Sequence, residues 1–513
     1  MKNRMKKTRQ NEPGNDDRRG KLPEHIRIIK EGNRQTSTPA LDIFRNYRKL
    51  VKWCTPSVLE EVMESYNPYS EGSISIRATG KLQDNSGVYA ETHSLAAEAY
   101  KNVDGHSHYG CEGTTGANRV LFDLISRIFL DEGGRKRVLS ARNVHQSVVV
   151  SARDKQVPVD YVMTRFDKER GLFLPPTADD VLSEINNDTR VVLLSNPTYE
   201  GFSCDLRTII ERIKRKNDRI LIYIDEAWGA HFPFNDRLLI SAIEAGADFV
   251  VQSLHKQGGA PNSANITHLS KRVKDAYLKE YLKSYAENTS TTYSVPLVAA
   301  MDLTRKIMYS EGKDRLDYMM AYADMFRDAV RHMKGIDIID PTKFPSVHSY
   351  DPTKVNLYMT DSRLKGDDIA ERLEKHFRVV TEKEERRSLC FLTTFSIGLR
   401  ETEFTINALE ETLDVSPRDF MDEKEPLNLP QRVEKRYETF EAQTMDKEQV
   451  PLDKSNGRVS GENIKCYPPG IYIVQMGEVI NSQLIGYLLS QRCRDHFYAE
   501  DKSLRYITVL KER

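Results

Sequence analysis

Short runs of branched apolar residues recur from about residue 94 onward, with enough chain between them to hold a helix. Strands that alternate with helix-length segments are typical of a mainly parallel sheet covered by helices on both faces. The pattern therefore predicts an α/β fold, with ligand-binding side chains directly after the carboxyl ends of the strands. The predicted strands cover residues 137–140, 157–164, 191–194, 220–224 and 249–252.

The patterning also divides the chain into five regions. The first 34 residues contain eleven Lys or Arg against five Asp or Glu and show almost no apolar periodicity, which predicts a mobile arm. Helical spacing follows, with Thr55 and Pro56 as the N-cap and first residue of the second of two short helices. The expected regions are a basic arm (1–36), an amino-terminal helical segment (37–90), a large α/β domain (91–330), a small α/β domain (331–415) and a smaller α+β carboxy-terminal domain with its linker (416–513).

Composition excludes several classes of protein. Lys plus Arg equals Asp plus Glu, at 76 residues each, so the chain has no net field that would attract nucleic acid or an anionic membrane. No stretch approaches the roughly 20 apolar residues that cross a bilayer, and the amino terminus lacks a secretory apolar region. The six cysteines form no CxxC pair, which disfavours a zinc site and a disulfide scaffold. We expect a cytoplasmic protein with no metal, membrane or nucleic-acid partner.

Two neighbouring strand ends carry side chains that a pyridoxal phosphate site needs together. Asp225 follows one apolar run, and Ser253, His255 and Lys256 follow the next. A lysine forms the Schiff base with this cofactor, Ser and His donate to its phosphate, and an Asp keeps its pyridine nitrogen protonated. The order and spacing of these residues predict a pyridoxal phosphate enzyme.

Two further segments fit the same cofactor. Gly113-Thr-Thr-Gly precedes an apolar helical run, and the free amides and hydroxyls of such a helix start bind anions, which makes Thr114 and Thr115 candidates for a phosphate cradle. His145 follows the strand that ends near Ser140, where an imidazole is placed to stack on a planar ring.

Together these motifs resemble the ornithine/lysine/arginine decarboxylase family of fold-type-I pyridoxal phosphate enzymes. The likeness runs from about residue 90 to the end, and it implies the short form of the family, without an extra amino-terminal domain. The motifs that carry it are Arg142-Asn-Val-His-Gln-Ser, Asn196-Pro-Thr-Tyr-Glu-Gly, Asp225-Glu-Ala-Trp-Gly-Ala-His, Ser253-Leu-His-Lys, Val450-Pro-Leu-Asp-Lys-Ser-Asn-Gly, Tyr467-Pro-Pro-Gly-Ile and Gly477-Glu-Val-Ile.

The resemblance implies a role for each site residue. Lys256 would be the Schiff-base lysine, Asp225 would face the pyridine nitrogen, and His145 and Ala227 would lie on opposite faces of the ring. Thr114, Thr115, Ser253 and His255 would hold the phosphate. The run from Ser290 through Thr291 to Thr292 is similar to the segment that reaches a neighbouring subunit's phosphate, which implies a homodimer or a higher homo-oligomer.

The implied activity is decarboxylation of a basic L-amino acid (arginine, lysine or ornithine) to the amine and CO2. Lys256 or His255 would return the proton, and Glu478 is a candidate partner for the end group of the substrate. Two segments depart from the family: Ile76 to Leu82 stands where a Pro-Gly-His segment is usual, and Gln146 stands in place of a basic residue. Other reactions of the same cofactor (transamination, elimination, oxidation) and a non-catalytic cofactor-binding relative remain as alternatives.

Overall fold

The computed structural model describes residues 51–59, 80–415, 433–466, 470–490 and 497–511. The predicted basic arm, most of the predicted helical segment, the departure at 76–79 and the first part of the predicted linker lie outside these residues. The strands are β1 (Val51–Trp53), β2 (His106–Gly110), β3 (Arg137–Ala141), β4 (Val159–Val162), β5 (Phe166–Asp167), β6 (Leu172–Phe173), β7 (Thr189–Ser195), β8 (Phe202–Ser203), β9 (Leu221–Asp225), β10 (Phe249–Ser253), β11 (Asn265–Leu269), β12 (Ile336–Ile338), β13 (Ser349–Tyr350), β14 (Lys354–Met359), β15 (Val379–Thr381), β16 (Lys383–Glu384), β17 (Ser388–Leu392), β18 (Lys447–Pro451), β19 (Ile464–Cys466), β20 (Ile471–Val474), β21 (Phe497–Tyr498) and β22 (Tyr506–Leu510). The α-helices are α1 (Val88–Ala99), α2 (Gly113–Glu132), α3 (Gln146–Asp154), α4 (Ala178–Glu184), α5 (Leu206–Lys216), α6 (Leu254–Gln257), α7 (Lys271–Asn288), α8 (Val295–Val330), α9 (Gly366–Arg372), α10 (Leu399–Val415), α11 (Thr439–Gln443) and α12 (Ser482–Ser490).

A seven-stranded sheet forms the centre of the large α/β region, in the order β2-β11-β10-β9-β7-β3-β4. Six strands run in one direction and β11 runs against them. Every residue of β9 and β10 is buried, because helices cover both faces of the sheet. Asp225 pairs with Ser195 on one side and with Val251 on the other, so three strands end at one edge. The predicted α/β fold with a mainly parallel sheet is confirmed.

Helix α8 joins this sheet to a second one. Its first half packs Met301 and Met308 into the core of the large sheet, and its second half packs Phe326 and Val330 into another core. That second core lies against an antiparallel sheet in the order β12-β14-β17-β16. Two small antiparallel sheets, β18-β22 and β20-β19-β21, follow in the carboxy-terminal part of the chain. None of the helices in the described ranges combines the length and apolar character that crossing a bilayer requires.

The helix predicted to begin at Thr55 is wrong over the described residues 51–59. Strand β1 pairs in parallel with β15, and beyond it the Ser57 amide donates to the Lys256 carbonyl at 3.1 Å. The Leu59 amide donates to the Gly259 carbonyl at 3.0 Å, and a Cβ on Gly259 would lie 2.9 Å from the Leu59 side chain. Partners distant in sequence take the backbone donors that a helix would use, and these contacts outweigh the local helical spacing.

A buried cluster of three histidines is formed by two residues of β2, the edge strand of the large sheet, and one residue of helix α1. His93, His106 and His108 each offer a ring nitrogen within 4.8 Å of the others. The His93 Nε2 atom accepts the Tyr109 amide at 3.1 Å, and its Nδ1 atom lies 2.7 Å from the Asn85 side-chain oxygen. Both nitrogens of His93 are therefore engaged, and we interpret the cluster as a neutral polar network of the core.

We expect this cluster to make the fold sensitive to acid. Burial lowers the pKa of His106 from 6.5 to about 4 and holds the pKa of His93 and His108 well below their usual range. The unfolded chain therefore binds more protons than the folded chain as pH falls from 6.5 toward 4. The contribution of these histidines to the free energy of unfolding is fully present above pH 6.5 and is lost over this range. For His106 alone the loss is about 3 kcal/mol.

Urea unfolding followed across this pH range measures the effect. His106→Gln should reduce the slope of the free energy of unfolding against pH by the amount that corresponds to roughly one bound proton. The control is His348→Gln, since the His348 side chain is 61% exposed. An equal slope in the wild type and in His106→Gln would contradict the assignment.

Candidate active site

A cavity of about 530 Å³ opens at the edge where β7, β9 and β10 end. Its size is within the range of small-molecule sites, about 300 to 1,000 Å³. The structure brings together here eight of the residues predicted from the sequence: Thr114, Thr115, His145, Asp225, Ala227, Ser253, His255 and Lys256.

Lys256 projects into this cavity from the short helix α6, which follows β10 directly. Its Nζ atom lies 4.0 Å from the centroid of the Trp228 ring. Burial lowers the pKa of Lys256 to about 8; the carboxylate of Asp225 opposes this shift and the cation of Lys354 adds to it. A usable fraction of the amine is therefore uncharged near neutral pH, as a nucleophile requires.

Asp225 closes β9 and is fixed by two hydrogen bonds. Its Oδ1 atom accepts the Ala227 amide at 3.2 Å, and its Oδ2 atom accepts Nδ2 of Asn118 at 3.3 Å. Asn118 is oriented in turn by the Tyr223 hydroxyl, which donates to its side-chain oxygen. Burial raises the pKa of Asp225, so a cation placed against this carboxylate would be strongly favoured.

His145 caps helix α3, and this capping fixes its ring. Its Nδ1 atom accepts the Ser147 amide at 3.2 Å and lies 2.8 Å from the Ser147 hydroxyl, which also accepts Nδ2 of Asn118 at 2.8 Å. Burial lowers the pKa of His145 to about 4, and the cations of Lys256 and Lys465 contribute to the shift. The cavity therefore contains a neutral imidazole held in one orientation.

The opposite end of the cavity gathers hydrogen-bond donors. The Thr114 and Ser253 hydroxyls lie 3.1 Å apart at the start of α2, where the first-turn amides also point outward. The Nδ1 atom of His255 donates to the Ala264 carbonyl at 3.0 Å, which fixes the ring. Hydroxyls and amides at a helix start form a donor set that suits a phosphate group, and the Nε2 atom of His255 joins this set when the ring is protonated.

One buried acceptor of the cavity wall also fits a bound molecule. The side-chain oxygen of Asn143 is buried and accepts no hydrogen bond from the described residues. Asn143 lines the same cavity as Lys256. An unpaired buried acceptor is costly, so a donor from a bound molecule would lower the energy of this wall.

Sequence reasoning missed the wall that carries Glu382. The Tyr199 hydroxyl donates to Oε1 of Glu382 at 2.6 Å, and the Thr55 amide donates to Oε2 at 2.6 Å. Glu200 also lines the cavity, and its carboxylate pairs with Nζ of Lys383 at 2.9 Å. Glu382 lies in a turn of the second α/β region, more than a hundred residues beyond Lys256, and no local pattern distinguishes it from the other acidic residues.

Three predicted site residues lie elsewhere. Glu478 is 2% exposed, lies outside the Lys256 cavity and pairs with Nη2 of Arg142 at 2.9 Å. Thr291 and Thr292 are exposed and do not line the cavity of their own subunit. The carboxylate of Glu478 is thus already neutralised, whereas the two threonines remain accessible from outside.

The chain is similar to known proteins in sequence and in fold. The chain is 28% identical over 462 residues to an arginine decarboxylase of Halalkalibacterium halodurans, covering 87% of this chain and 90% of the relative. The fold is similar to that of a lysine decarboxylase of Francisella novicida (TM-score 0.71, 18% identity, 86% of this chain and 74% of that one). It is also similar to that of an aspartate aminotransferase of Thermus thermophilus (TM-score 0.52, 15% identity, 71% and 98%).

Family models agree with the resemblance seen in the motifs. The Orn/Lys/Arg decarboxylase major domain matches residues 69–356, more than half of the chain, and the carboxy-terminal domain of that family matches residues 421–498. The chain therefore belongs to the Orn/Lys/Arg decarboxylase family.

Proposed function

We propose that this protein is a pyridoxal-phosphate-dependent decarboxylase that converts a basic L-amino acid into its amine and CO2. The observation that carries the proposal is a single cavity in which Lys256 and Asp225 lie together with the carboxylate of Glu382. The family, and relatives named arginine and lysine decarboxylase, support it.

The cofactor would be held by the residues already placed in the cavity. Thr114, Thr115, Ser253 and His255 would bind its phosphate, and Asp225 would pair with the ring nitrogen. When bound, pyridoxal phosphate supplies an electron sink for the pair released as CO2 leaves. Asp225 strengthens that sink because a buried carboxylate favours a protonated nitrogen beside it. Lys256 and His255 are the candidate groups that return a proton to the reacting carbon.

We place recognition of the substrate's basic end group at Glu382 rather than at Glu478. Tyr199 and Thr55 hold the Glu382 carboxylate in one orientation at the cavity wall. A fixed carboxylate binds an ammonium or a guanidinium without further loss of side-chain entropy. Glu478 is already paired with Arg142 outside the cavity.

Product analysis tests the proposed reaction. The purified protein, loaded with pyridoxal phosphate, is incubated with arginine, lysine and ornithine, and the products are identified by mass spectrometry. We expect the amine that corresponds to the loss of one CO2 from at least one of the three. A keto acid or an elimination product would favour the alternative reactions of the same cofactor, and absence of any product would favour a non-catalytic relative.

We expect Glu382→Gln to raise KM for the basic substrate by about tenfold or more, with a smaller change in kcat. The amide keeps the size of the side chain but loses the charge that pairs with the end group. Steady-state kinetics provide the measurement, and Glu385→Gln, on the other side of strand β16 and outside the cavity lining, is the control. An unchanged KM for Glu382→Gln would mean that another residue binds the basic end group of the substrate.

We also propose that the active unit is a dimer in which Thr291 and Thr292 reach the neighbouring subunit's phosphate site. Both residues are exposed, and neither lines the cavity of its own subunit. Lys256→Ala and a Thr291→Ala/Thr292→Ala double variant are each expected to be inactive or strongly impaired. After subunit exchange in a one-to-one mixture, about half of the dimers are heterodimers, and each heterodimer has one of its two sites intact. We therefore expect about a quarter of wild-type activity to be restored. No recovery despite demonstrated heterodimers would place the site within one chain.

A further inference from the structure

A second lysine contacts the same indole ring as Lys256. The Nζ atom of Lys354 lies 3.6 Å from the centroid of Trp228, and that of Lys256 lies 4.0 Å from it. The two nitrogens can therefore be no more than 7.6 Å apart, the sum of these distances. Lys354 comes from the first residue of β14 in the second sheet, and its side chain lies outside the lining of the cavity.

We propose that Lys354 is a positioning residue whose fixed positive charge beside Trp228 increases the uncharged, nucleophilic fraction of the Lys256 amine. The proposal deepens the proposed function, because it concerns the readiness of the lysine that would bind the cofactor. The physical reason is repulsion between like charges, which at this separation inside a protein amounts to about one pKa unit or more.

The position of Lys354 is tightly defined. The residue is 2% exposed, and its Nζ atom donates to the Tyr199 carbonyl. Its own carbonyl accepts Nη2 of Arg327 at 2.9 Å, which anchors the start of β14 to helix α8. The ammonium is therefore screened little by solvent, and the repulsion persists.

The surroundings of Lys354 favour its charged form against the effect of burial. Burial lowers its pKa, and the carboxylates of Asp351, Glu382 and Glu200 oppose that shift. Glu200 is itself paired with Lys383, and Asp351 lies 3.2 Å from Nε2 of His231. Acidic neighbours of this kind retain a cation in the core where an isolated lysine would lose its proton.

The groups that face Lys256 divide into those that favour its charge and those that oppose it. Asp225 and Glu382 favour the ammonium, whereas burial and Lys354 oppose it. The cavity histidines contribute little, because burial lowers the pKa of both and keeps them neutral near pH 7. Among the described residues, the charged or titratable groups coupled electrostatically to Lys256 are Asp225, His145, His255, Glu382 and Lys354, and Glu112, Tyr199 and Glu200 line the same cavity.

The segment that carries Lys354 is also joined to the helix that carries Lys256. The Thr353 hydroxyl accepts Nε2 of Gln257 at 2.6 Å and donates to Oδ1 of Asp351 at 2.7 Å. Gln257 directly follows Lys256. Hydrogen bonds from consecutive residues thus fix the relative positions of the two lysines, so the electrostatic effect does not depend on a flexible contact.

The test measures the pKa of Lys256 directly in the full-length protein freed of cofactor. Trace acetic anhydride labels amines only in their uncharged form, and mass spectrometry of the Lys256 peptide across a pH series gives its apparent pKa. We expect a value near 8 in the wild type and about one unit higher in Lys354→Met. Lys354→Arg keeps a cation that does not deprotonate, so it should titrate like the wild type.

Two results would overturn the proposal. One is an unchanged Lys256 pKa in folded Lys354→Met; the other is an equal rise in Lys354→Arg, which would point to packing rather than charge. If Lys354→Met does not fold, Lys354→Gln, which still donates to the Tyr199 carbonyl, should show the same rise. The labelling reports the Lys256 amine whichever product the enzyme forms, so failure here and failure of the proposed decarboxylation are distinguishable.

Discussion

Lys256→Ala is expected to abolish turnover and to remove the covalent link to pyridoxal phosphate. The substitution leaves the cavity walls in place, because helix α6 is held by the Gln257 side chain and by the backbone carbonyl of residue 256, which accepts the Ser57 amide. It deletes the only group here proposed to bond the cofactor aldehyde. The protein should therefore bind the cofactor weakly and reversibly, without the visible absorbance of a protonated Schiff base.

Borohydride reduction followed by peptide mass spectrometry checks this result. In the wild type the reduced adduct should map to the Lys256 peptide, and in Lys256→Ala no reduced adduct should form. Lys155→Ala removes a lysine that pairs with Asp123 away from the cavity, and it should keep both the adduct and the activity. A reducible adduct that persists in Lys256→Ala would assign the Schiff base to another lysine.

The second large effect is expected from Asp225→Asn, with turnover reduced on the order of 100-fold or more. The amide cannot hold a protonated ring nitrogen by charge, so the electron sink weakens. It also replaces one of two acceptors with a donor, although both oxygens of Asp225 accept hydrogen bonds, one from the Ala227 amide and one from Nδ2 of Asn118. Cofactor binding and the fold should be largely retained.

Single-turnover kinetics with cofactor content measured on the same sample separate these effects. Asp248→Asn is a suitable control: Asp248 is a buried carboxylate that accepts the Ile222 amide at 2.9 Å within the same sheet, outside the cavity. We expect it to affect stability more than the rate of reaction. Near wild-type turnover in Asp225→Asn would mean that another group protonates the ring.

The sequence predicts the parallel part of the sheet well because buried strands carry continuous apolar runs. The sequence does not reveal β2, because His106, Ser107 and His108 are polar and form no apolar run, although all three are buried. Nor does it reveal the non-helical conformation at Thr55, because partners distant in sequence determine that conformation. Local periodicity reports a strand or a helix only where local contacts decide its energy.

The same distinction applies to the active site. Asp225 and Lys256 follow adjacent strands of one sheet, so strand order alone brings them together. Glu382 and Lys354 come from the second α/β region, and only the packing of that region against the large sheet places them near Lys256. Glu478 was a reasonable candidate from its motif, but its charge is already balanced by Arg142.

The contacts made by residues 51–59 have a consequence for the order in which the chain folds. The Thr55 amide donates to Glu382, which lies 327 positions away in sequence, and the Ser57 amide donates to the backbone carbonyl of Lys256. During synthesis the large sheet emerges with Lys256 well before residue 382 leaves the ribosome, so the nascent chain carries this lysine in an unfinished cavity. Contacts between such distant residues form late. Tight retention of the cofactor should therefore be one of the last properties that a newly made chain acquires.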